Sequence, residues 1–348
     1  MQTDILSLTY EELAEKLGAL GQPKYRAKQV FAWLHSKQVL DFAQMTNLSI
    51  QFREQLGKNF YINEIKIRKK LVSQLDDTVK YLYELRDGEF VETVVMRYHH
   101  GNSICVSTQV GCRMGCSFCA STKAGFVRHL TPSEILGQIY TAERDLGEKI
   151  SNVVLMGIGE PLDNFNNVLT FLELLSHPEG RNLGMRHVTL STCGLVDQIY
   201  RLAEKNLQIT LSISLHAPND GLRSQTMPVN RRYPIDELLA ACRAYADRTG
   251  RRISFEYALI DGFNDSPAHA KELASRIRGM LCHVNLIPVN RIEERDYASS
   301  SQQSVKRFAQ VLESSGINAT VRRTLGQDIN AACGQLRRDE KDRGGCVL

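Results

Sequence analysis

Residues 110–121 read Val-Gly-Cys-Arg-Met-Gly-Cys-Ser-Phe-Cys-Ala-Ser, which places Cys112, Cys116 and Cys119 within eight residues. Thiolates this close can converge on one soft metal centre, and three of them can ligate three irons of a [4Fe–4S] cube and leave the fourth iron open. Such an iron can bind a small molecule and pass it an electron. Zinc is the competing interpretation, but structural zinc usually takes two separated ligand pairs, and the chain has no second pair. A third interpretation is that the three cysteines are unrelated and simply buried, but the presence of three cysteines within eight residues argues against it.

The 348-residue chain is 43% hydrophobic and 24% charged, as expected of a globular protein with one large and one small domain. No apolar run approaches the ~20 residues of a membrane span. The first residues lack the basic and apolar plan of a secretion signal. Nine cysteines in such a chain predict thiols in a reducing compartment. We therefore expect a cytoplasmic protein with no membrane partner.

The net charge of +4 does not by itself indicate a nucleic-acid partner, but the basic residues are clustered. Residues 222–252 contain seven arginines against three acids, and further clusters lie at 66–70 and 322–343. Such clusters can neutralise phosphates, and arginine does so with a bidentate fork. A solvated helix face explains a charge run equally well, so both interpretations stay open here.

The order of apolar residues predicts three regions, which are followed by a short C-terminal segment. Helical spacing at 10–20 and 25–36 predicts a small N-terminal helical domain over 1–60, which either contacts nucleic acid or serves as a packing cap. Strand patterns and a turn at 86–89 predict a β-rich connecting segment over 61–97. Beyond it, strands alternate with amphipathic helices over 98–328, which predicts a parallel sheet curved into a full or partial barrel. A C-terminal segment, 329–348, follows.

Polar motifs follow several predicted strands, where active residues of such a sheet collect. Gly157 and Gly159 permit close approach of a ligand, and Glu160 can accept from an ammonium group. Pro161 interrupts any dinucleotide-binding pattern, so an amino-acid-like ligand such as S-adenosylmethionine fits better. Ser191, Ser214 and His216 can hold a ribose or carboxylate, although Ser and Thr also simply cap strands. We assign His216 to binding rather than proton transfer.

Two further cysteines, Cys333 and Cys105, are candidates for a chemical role. Cys333 lies between alanine and glycine in Ala331-Ala-Cys-Gly-Gln335, and this lack of bulk would leave a thiolate nucleophile accessible. Without context, an isolated cysteine is usually structural. Cys105 ends a predicted strand seven residues before Cys112, so we expect it near the metal centre. We take Cys193, Cys242, Cys282 and Cys346 as incidental.

The motifs combine into an ordered set that resembles the radical-SAM RNA methyltransferases of the RlmN and Cfr family. The set also includes Tyr25-Arg-x-Lys-Gln29 near the N-terminus. The other motifs are Val91-Glu-Thr-Val94, the three-cysteine loop, Gly157-x-Gly-Glu-Pro161, Ser191-Thr-x-Gly194, Ser214-Leu-His216, Met227-Pro-Val-Asn230 and Ala331-Ala-Cys-Gly-Gln335. The resemblance implies a partial (β/α)6 TIM-like barrel of the radical-SAM type, with a helical accessory domain and a short β extension. Proline at 161 is typical of the RlmN branch of the family, which methylates adenine C2, whereas the Cfr branch has alanine there and methylates C8. Cys193, at the third position of Ser191-Thr-x-Gly194, is a minor departure from the family pattern.

The resemblance also implies roles for single residues. Cys112, Cys116 and Cys119 would hold one [4Fe–4S] cluster. Cys333 would carry a methyl group taken from one S-adenosylmethionine, and a 5′-deoxyadenosyl radical from a second would activate it. Cys105 would form a transient disulfide with Cys333, and Glu92 would accept a proton or hold the adenine amino group. The implied cofactor-binding residues are Gly159, Glu160, Ser191, Ser214, Leu215, His216 and Asn290.

The implied partners are 23S rRNA, tRNA at the adenosine 3′ of the anticodon, and a flavodoxin- or ferredoxin-type electron donor, and we expect a monomer. An RNA target suits the arginine clusters. Two other classes compete. Methylthiolation of tRNA would normally bring a second cluster with more clustered cysteines, and a zinc-stabilised RNA-binding protein would need a fourth ligand near 105–119.

Overall fold

The structure is a computed structural model that describes residues 2–122, 125–288, 298–323 and 325–331. Within these ranges, no helix combines the length and the apolar character that crossing a bilayer requires. The predicted site residues Asn290 and Cys333 lie outside the described residues.

The N-terminal region is helical, as predicted. Thr9 starts the first helix with a capping box, because its hydroxyl accepts from the Glu12 N–H while the Glu12 carboxylate accepts from the Thr9 N–H. The second helix continues into a wider turn over Ala32–Ser36. A third helix was not predicted. The elements are β1 (Thr3–Asp4), α1 (Tyr10–Ala19), α2 (Tyr25–Phe31), α3 (Ile50–Asn59) and β2 (Phe60–Tyr61), with β1 and β2 paired in parallel.

Three antiparallel strands follow: β3 (Lys66–Val72), β4 (Val79–Glu84) and β5 (Phe90–Tyr98). The predicted turn at 86–89 does join β4 to β5. Side chains alternate between two faces. Tyr83 and Thr93 face a helix, where both bond to Gln138. Lys80 and Glu92 share the opposite face, which becomes part of the site described below.

The predicted strand–helix alternation is confirmed in the rest of the chain. A small hairpin, β7 (Gln109–Gly111) and β8 (Phe126–His129), flanks the cysteine loop. The parallel strands are β6 (Gly101–Cys105), β9 (Ile150–Leu155), β10 (Val188–Thr192), β11 (Thr210–Ser214), β12 (Ile253–Leu259), β13 (Cys282–Pro288) and β14 (Ala319–Val321). The helices are α4 (Pro132–Leu146), α5 (Phe165–Ser176), α6 (Val196–Glu204), α7 (Asp220–Thr226), α8 (Ile235–Thr249), α9 (Pro267–Ile277) and α10 (Gln302–Ser314).

Among the described residues, ten of the strands form one mixed sheet in the order β14-β13-β12-β11-β10-β9-β6-β5-β4-β3. Strand β6 is the junction, because it pairs antiparallel with β5 and parallel with β9. The connecting segment is therefore continuous with the barrel sheet. This α/β architecture is the expected partial barrel with its β extension. The domain limits proposed above remain a prediction.

The end of β9 lies very close to the chain that leaves β6. A Cβ added at Gly157 would lie 2.6 Å from the Val106 carbonyl oxygen and 2.7 Å from the Ser107 nitrogen. Both are backbone atoms, so a side chain at 157 requires the two segments to separate. This contact fixes the first edge of the site.

We expect Gly157→Ala to lower the free energy of unfolding by about 2 kcal/mol, the usual cost of forcing a methyl group into a filled space. Gly18→Ala is the matched control, because a Cβ there meets nothing within 4 Å. Inside α1 the same change should stabilise by up to about 1 kcal/mol. Urea unfolding measures both values, and equal effects of the two substitutions would contradict the close approach at Gly157.

Candidate active site

A cavity of about 220 Å³ opens where the parallel strands end. It brings together most of the residues that the sequence predicted for the metal centre and the cofactor. These are Cys112, Cys116, Cys119, Gly159, Glu160, Ser191, Ser214 and His216. Their convergence follows from topology, since the carboxyl ends of parallel strands lie at one edge of the sheet.

The cysteine loop is held by its own backbone and by the barrel. The Cys119 N–H donates to the Cys116 carbonyl at 3.2 Å, and the Ser117 N–H donates to the Thr226 carbonyl at 2.7 Å. Burial raises the pKa of the Cys112 thiol to about 12, and that of Cys116 likewise, with the neighbouring thiols adding to both shifts. Thiolates in this place therefore need a cation beside them.

The arrangement of these thiols bears on which metal group they can hold. Cys112 and Cys116 are buried and Cys119 is half-buried, and all three line the same cavity. Soft sulfur donors gathered around one cavity fit three corners of an iron–sulfur cube.

Glu160 joins two strand ends. Its Oε1 accepts from the Leu162 N–H at 3.0 Å and its Oε2 from the Cys193 N–H at 2.7 Å. Burial raises the pKa of Glu160, and these backbone donors oppose the rise. Gly159 has φ +110°, and a Cβ there would lie 2.6 Å from Gln109 Cβ. The loop therefore needs glycine at 159, and it presents a buried acceptor that suits an ammonium group.

Arg223 organises the next two strand ends. Its guanidinium donates to the carbonyl oxygens of Cys193 at 2.6 Å, Leu215 at 3.1 Å and Ser214 at 3.2 Å. It also donates to Asn230 Oδ1 at 3.0 Å. The side chain is completely buried. Arg223 is one of the seven arginines at 222–252 that could neutralise phosphates, and for Arg223 that interpretation is wrong because RNA cannot reach a completely buried side chain.

His216 is fixed in one protonation state and one orientation. Its Nδ1 accepts from the Ala258 N–H at 3.0 Å, so the proton of the neutral ring is on Nε2. Burial lowers the pKa of His216 to about 3, with a smaller contribution from Arg223. The His216 carbonyl accepts from the Asn264 amide at 2.8 Å, and His216 itself has a backbone φ of +56°. A ring that stays neutral at physiological pH can donate its Nε2 proton to a ligand, and the binding role predicted for His216 stays a prediction.

Leu215 contributes differently from its neighbours. Its side chain is buried in the core and is not among the residues that line the cavity. Its backbone carbonyl is bound by Arg223, and its N–H donates to the Glu256 carbonyl at 3.1 Å. Leu215 therefore sets the position of Ser214 and His216.

Glu92 and Cys105 lie together on the adjoining part of the sheet rather than in the cavity lining. Cys105 packs with Val94 and Met96. Met156 packs against this group and also lines the cavity, so it connects the two places. Glu92 is buried on the same sheet face, with the Lys80 ammonium 2.9 Å from its Oε2.

Sequence reasoning did not single out Glu256 or Arg322, although both line the cavity. Glu256 is buried, and it accepts from the Ser212 hydroxyl at 2.7 Å and from the Asn285 amide at 2.8 Å. A carboxylate in the middle of the mostly apolar strand β12 is the signal in the sequence that could have identified Glu256. Arg322 had been counted only as one member of a basic cluster.

Comparison with known proteins gives two family matches. Residues 106–274 match the model of the radical SAM superfamily. Residues 3–62 match that of the ribosomal RNA large subunit methyltransferase N-terminal domain. The chain is also similar to a crystal structure of a radical SAM methyltransferase from Sphaerobacter thermophilus, with a TM-score of 0.91 and 45% identity over 96% of this chain and 98% of that one.

Curated relatives extend over nearly the same length. A probable dual-specificity RNA methyltransferase RlmN from Alkaliphilus oremlandii is 55% identical, covering 96% of this chain and 97% of the relative. A protein of the same name from Clostridium botulinum (strain Okra / Type B1) is 54% identical, covering 96% of this chain and 98% of the relative.

We expect Arg223→Ala to lower the free energy of unfolding by about 3 kcal/mol, because it removes the donor to two buried carbonyl oxygens and one part-buried one, and a buried acceptor left without its donor costs about 1–3 kcal/mol. Denaturant unfolding measures the loss. Arg248→Ala is the control, because Arg248 is exposed on α8 and its loss should change stability by less than about 0.5 kcal/mol. Equal, small effects of both would show that Arg223 does not hold the strand ends.

Proposed function

Because the chain belongs to the RlmN family of radical-SAM RNA methyltransferases, we propose that it methylates C2 of an adenosine in 23S rRNA and of the adenosine 3′ of the anticodon in tRNA. The observation that carries this proposal is the strand-end cavity, which combines three thiols, two of them buried, with Glu160, Ser191 and His216. The names of the relatives and Pro161 support C2 over the C8 alternative.

In this proposal, Cys112, Cys116 and Cys119 hold a [4Fe–4S] cluster, and the rest of the cavity binds S-adenosylmethionine. When bound, the cluster supplies the electron that splits the sulfonium and so provides a radical that can remove hydrogen. Glu160 would accept from the amino group of the ligand, and Ser191, Ser214 and His216 would contact its polar groups. Asn290 is proposed as a further contact.

The chain itself would supply the methyl carrier. Adenine C2 is electrophilic and does not attack a sulfonium methyl group, so a carrier is needed. Cys333 thiolate would attack the methyl carbon of one S-adenosylmethionine, take the methyl group and displace S-adenosylhomocysteine. A hydrogen atom would be removed from the methyl group on Cys333, and the resulting carbon radical would add to C2. Loss of one electron, passed back to the cluster, and of the C2 proton would leave Cys333 covalently linked to the RNA. Attack of the Cys105 thiolate on the Cys333 sulfur would then form a disulfide, and the released carbon would take up a proton to become the methyl group. Two electrons from the reductant would then restore the thiols.

Glu92 is proposed as the group that accepts the C2 proton. Its carboxylate is buried and has the Lys80 ammonium 2.9 Å away. This ion pair holds the carboxylate in place, and a positioned carboxylate is a group that can serve as a proton acceptor. Glu92 and Val94 are two residues apart on β5 and so face the same side of the sheet. Val94 pairs with Cys105 on β6, which places Glu92 and Cys105 on one face. This arrangement supports a shared role in the final step.

An RNA substrate also suits the surface of the β extension. Strand β3 is the edge of the sheet, and all four of its basic residues, Lys66, Arg68, Lys69 and Lys70, are exposed. Lys70 is paired with Asp145. Exposed cations along an edge strand can follow a phosphate backbone without reading sequence.

The remaining partners are proposals as well. We propose a flavodoxin- or ferredoxin-type electron donor, since the cluster needs an external electron. We also propose that the protein acts as a monomer in the cytoplasm.

Incubation of the reduced, cluster-loaded protein with rRNA and tRNA should yield 2-methyladenosine in both, measured by mass spectrometry of digested nucleosides. Cys333→Ala should carry no protein-bound methyl group and give no product, because it lacks the carrier sulfur. Cys346→Ala is the matched control and should behave like the unchanged protein. Product that is only 8-methyladenosine would overturn the C2 assignment, and turnover by Cys333→Ala would overturn the carrier scheme.

Anaerobic preparations should contain about four iron and four sulfide per chain, the content of one cube. Cys116→Ala should lose most of both, because one corner iron loses its protein ligand. Cys282→Ala tests specificity, since Cys282 begins β13 at the opposite end of the strands from the cavity. Chemical analysis and visible absorbance give the result. Stoichiometric zinc without sulfide would rule out the cluster.

A further inference from the structure

The turn between β3 and β4 is rigidly built. The Ser73 N–H donates to the Thr78 carbonyl at 2.8 Å and closes the turn. The Ser73 hydroxyl oxygen accepts from the N–H groups of Leu75 at 3.1 Å and Asp76 at 3.3 Å. Asp76 Oδ1 accepts from the Thr78 N–H at 3.1 Å. A turn with this many internal bonds presents its remaining polar groups in fixed directions.

These groups are bound by residues from the far end of the chain. The Ser73 hydroxyl donates to Asp328 Oδ1 at 2.7 Å, and the Gln74 N–H donates to Asp328 Oδ2 at 2.8 Å. In return, Asp76 Oδ2 accepts from the Gly326 N–H at 2.8 Å. The bond from Ser73, with that from Gln74, lowers the pKa of Asp328, so the carboxylate stays ionised at neutral pH.

The segment bound in this way is itself a closed loop. The Ala331 N–H donates to the Gly326 carbonyl at 3.0 Å, which brings the two ends of the loop together. Gly326 has φ +61°, and a Cβ there would lie 2.5 Å from Ala331 Cβ and 3.1 Å from Thr78 Cγ2. Glycine at 326 therefore permits both the loop and its contact with the turn.

A second anchor lies beneath the loop. The side chain of Lys80 is 0% exposed, and its ammonium lies 2.9 Å from Glu92 Oε2. The same ammonium donates to the Asn330 carbonyl at 2.9 Å. Ala331 and Leu325 also pack against the apolar group that contains Cys105. One buried cation thus connects the Glu92 carboxylate to the backbone that leads to residue 333.

We propose that Ser73, Gln74, Asp76 and Lys80 form a clasp that holds the loop 326–331, which leads to Cys333, against the sheet face that carries Cys105. Asp76, Lys80 and Asp328 are its positioning residues. The inference rests on the proposed function, because it assigns the clasp to the carrier segment. Two residues extend at most about 7 Å. Fixing Ala331 therefore limits how far the Cys333 thiol can move from Cys105.

The test measures formation of the Cys105–Cys333 disulfide under mild oxidation, in full-length protein without cofactor or RNA, by mass spectrometry of peptides. Asp328→Ala should slow the reaction about tenfold, because it removes the acceptor of two hydrogen bonds. Asp76→Ala should act in the same direction. Asp77→Asn is the matched control, since Asp77 is exposed in the same turn and its φ of +56° suits asparagine.

The thermal midpoints of Asp328→Ala and Asp77→Asn should remain close to that of the unchanged protein, because both side chains are exposed. The reduced, RNA-supplied Asp328→Ala enzyme should also release more 5′-deoxyadenosine per methylated adenosine. The clasp would be overturned if Asp328→Ala formed the disulfide as fast as the unchanged protein. It would also be overturned if neither the unchanged protein nor any variant formed the disulfide. The disulfide rate needs no RNA methylation, so failure of the clasp and failure of the proposed function are distinguishable.

Discussion

Parallel strands that end at one edge leave backbone groups there that the sheet cannot pair, and buried polar groups without partners are costly. Two buried charged side chains meet this need around a single residue. Glu160 accepts from the Cys193 N–H, and Arg223 donates to the Cys193 carbonyl. The peptide groups on either side of Cys193 are therefore fixed from opposite directions. The positions of Ser191 and Ser214 in the cavity depend on this pair of contacts.

The second part of the site depends on the mixed character of the sheet. Because β6 pairs with both β5 and β9, the face that carries Cys105 continues without a break into the β extension. Glu92 and Lys80 reach the same face through the antiparallel register of β4 and β5. A barrel of parallel strands alone would have no place for them. The β extension thus provides a second surface of the site, which lies beside the strand-end cavity.

The sequence predicted the regular part of the fold well, because strands such as β12 and helices such as α8 have clear apolar patterns and clear ends. It also placed Glu160 and His216 at strand ends. It did not predict the burial of Arg223, which stands in an arginine-rich stretch that resembles a solvent-exposed surface. Lys80 was equally unpredictable, since the loop that covers it comes from 250 residues further along the chain. Local pattern carries no information on such distant partners.

The basic edge strand has a consequence for how copies of the protein meet one another. A strand at the border of a sheet offers unused hydrogen-bonding groups to any similar strand, which is a route to aggregation. Lysine and arginine along β3 repel a second copy of the same edge. This repulsion keeps copies of the protein apart at low ionic strength. Salt screens the charges, so the tendency to aggregate should rise with salt concentration.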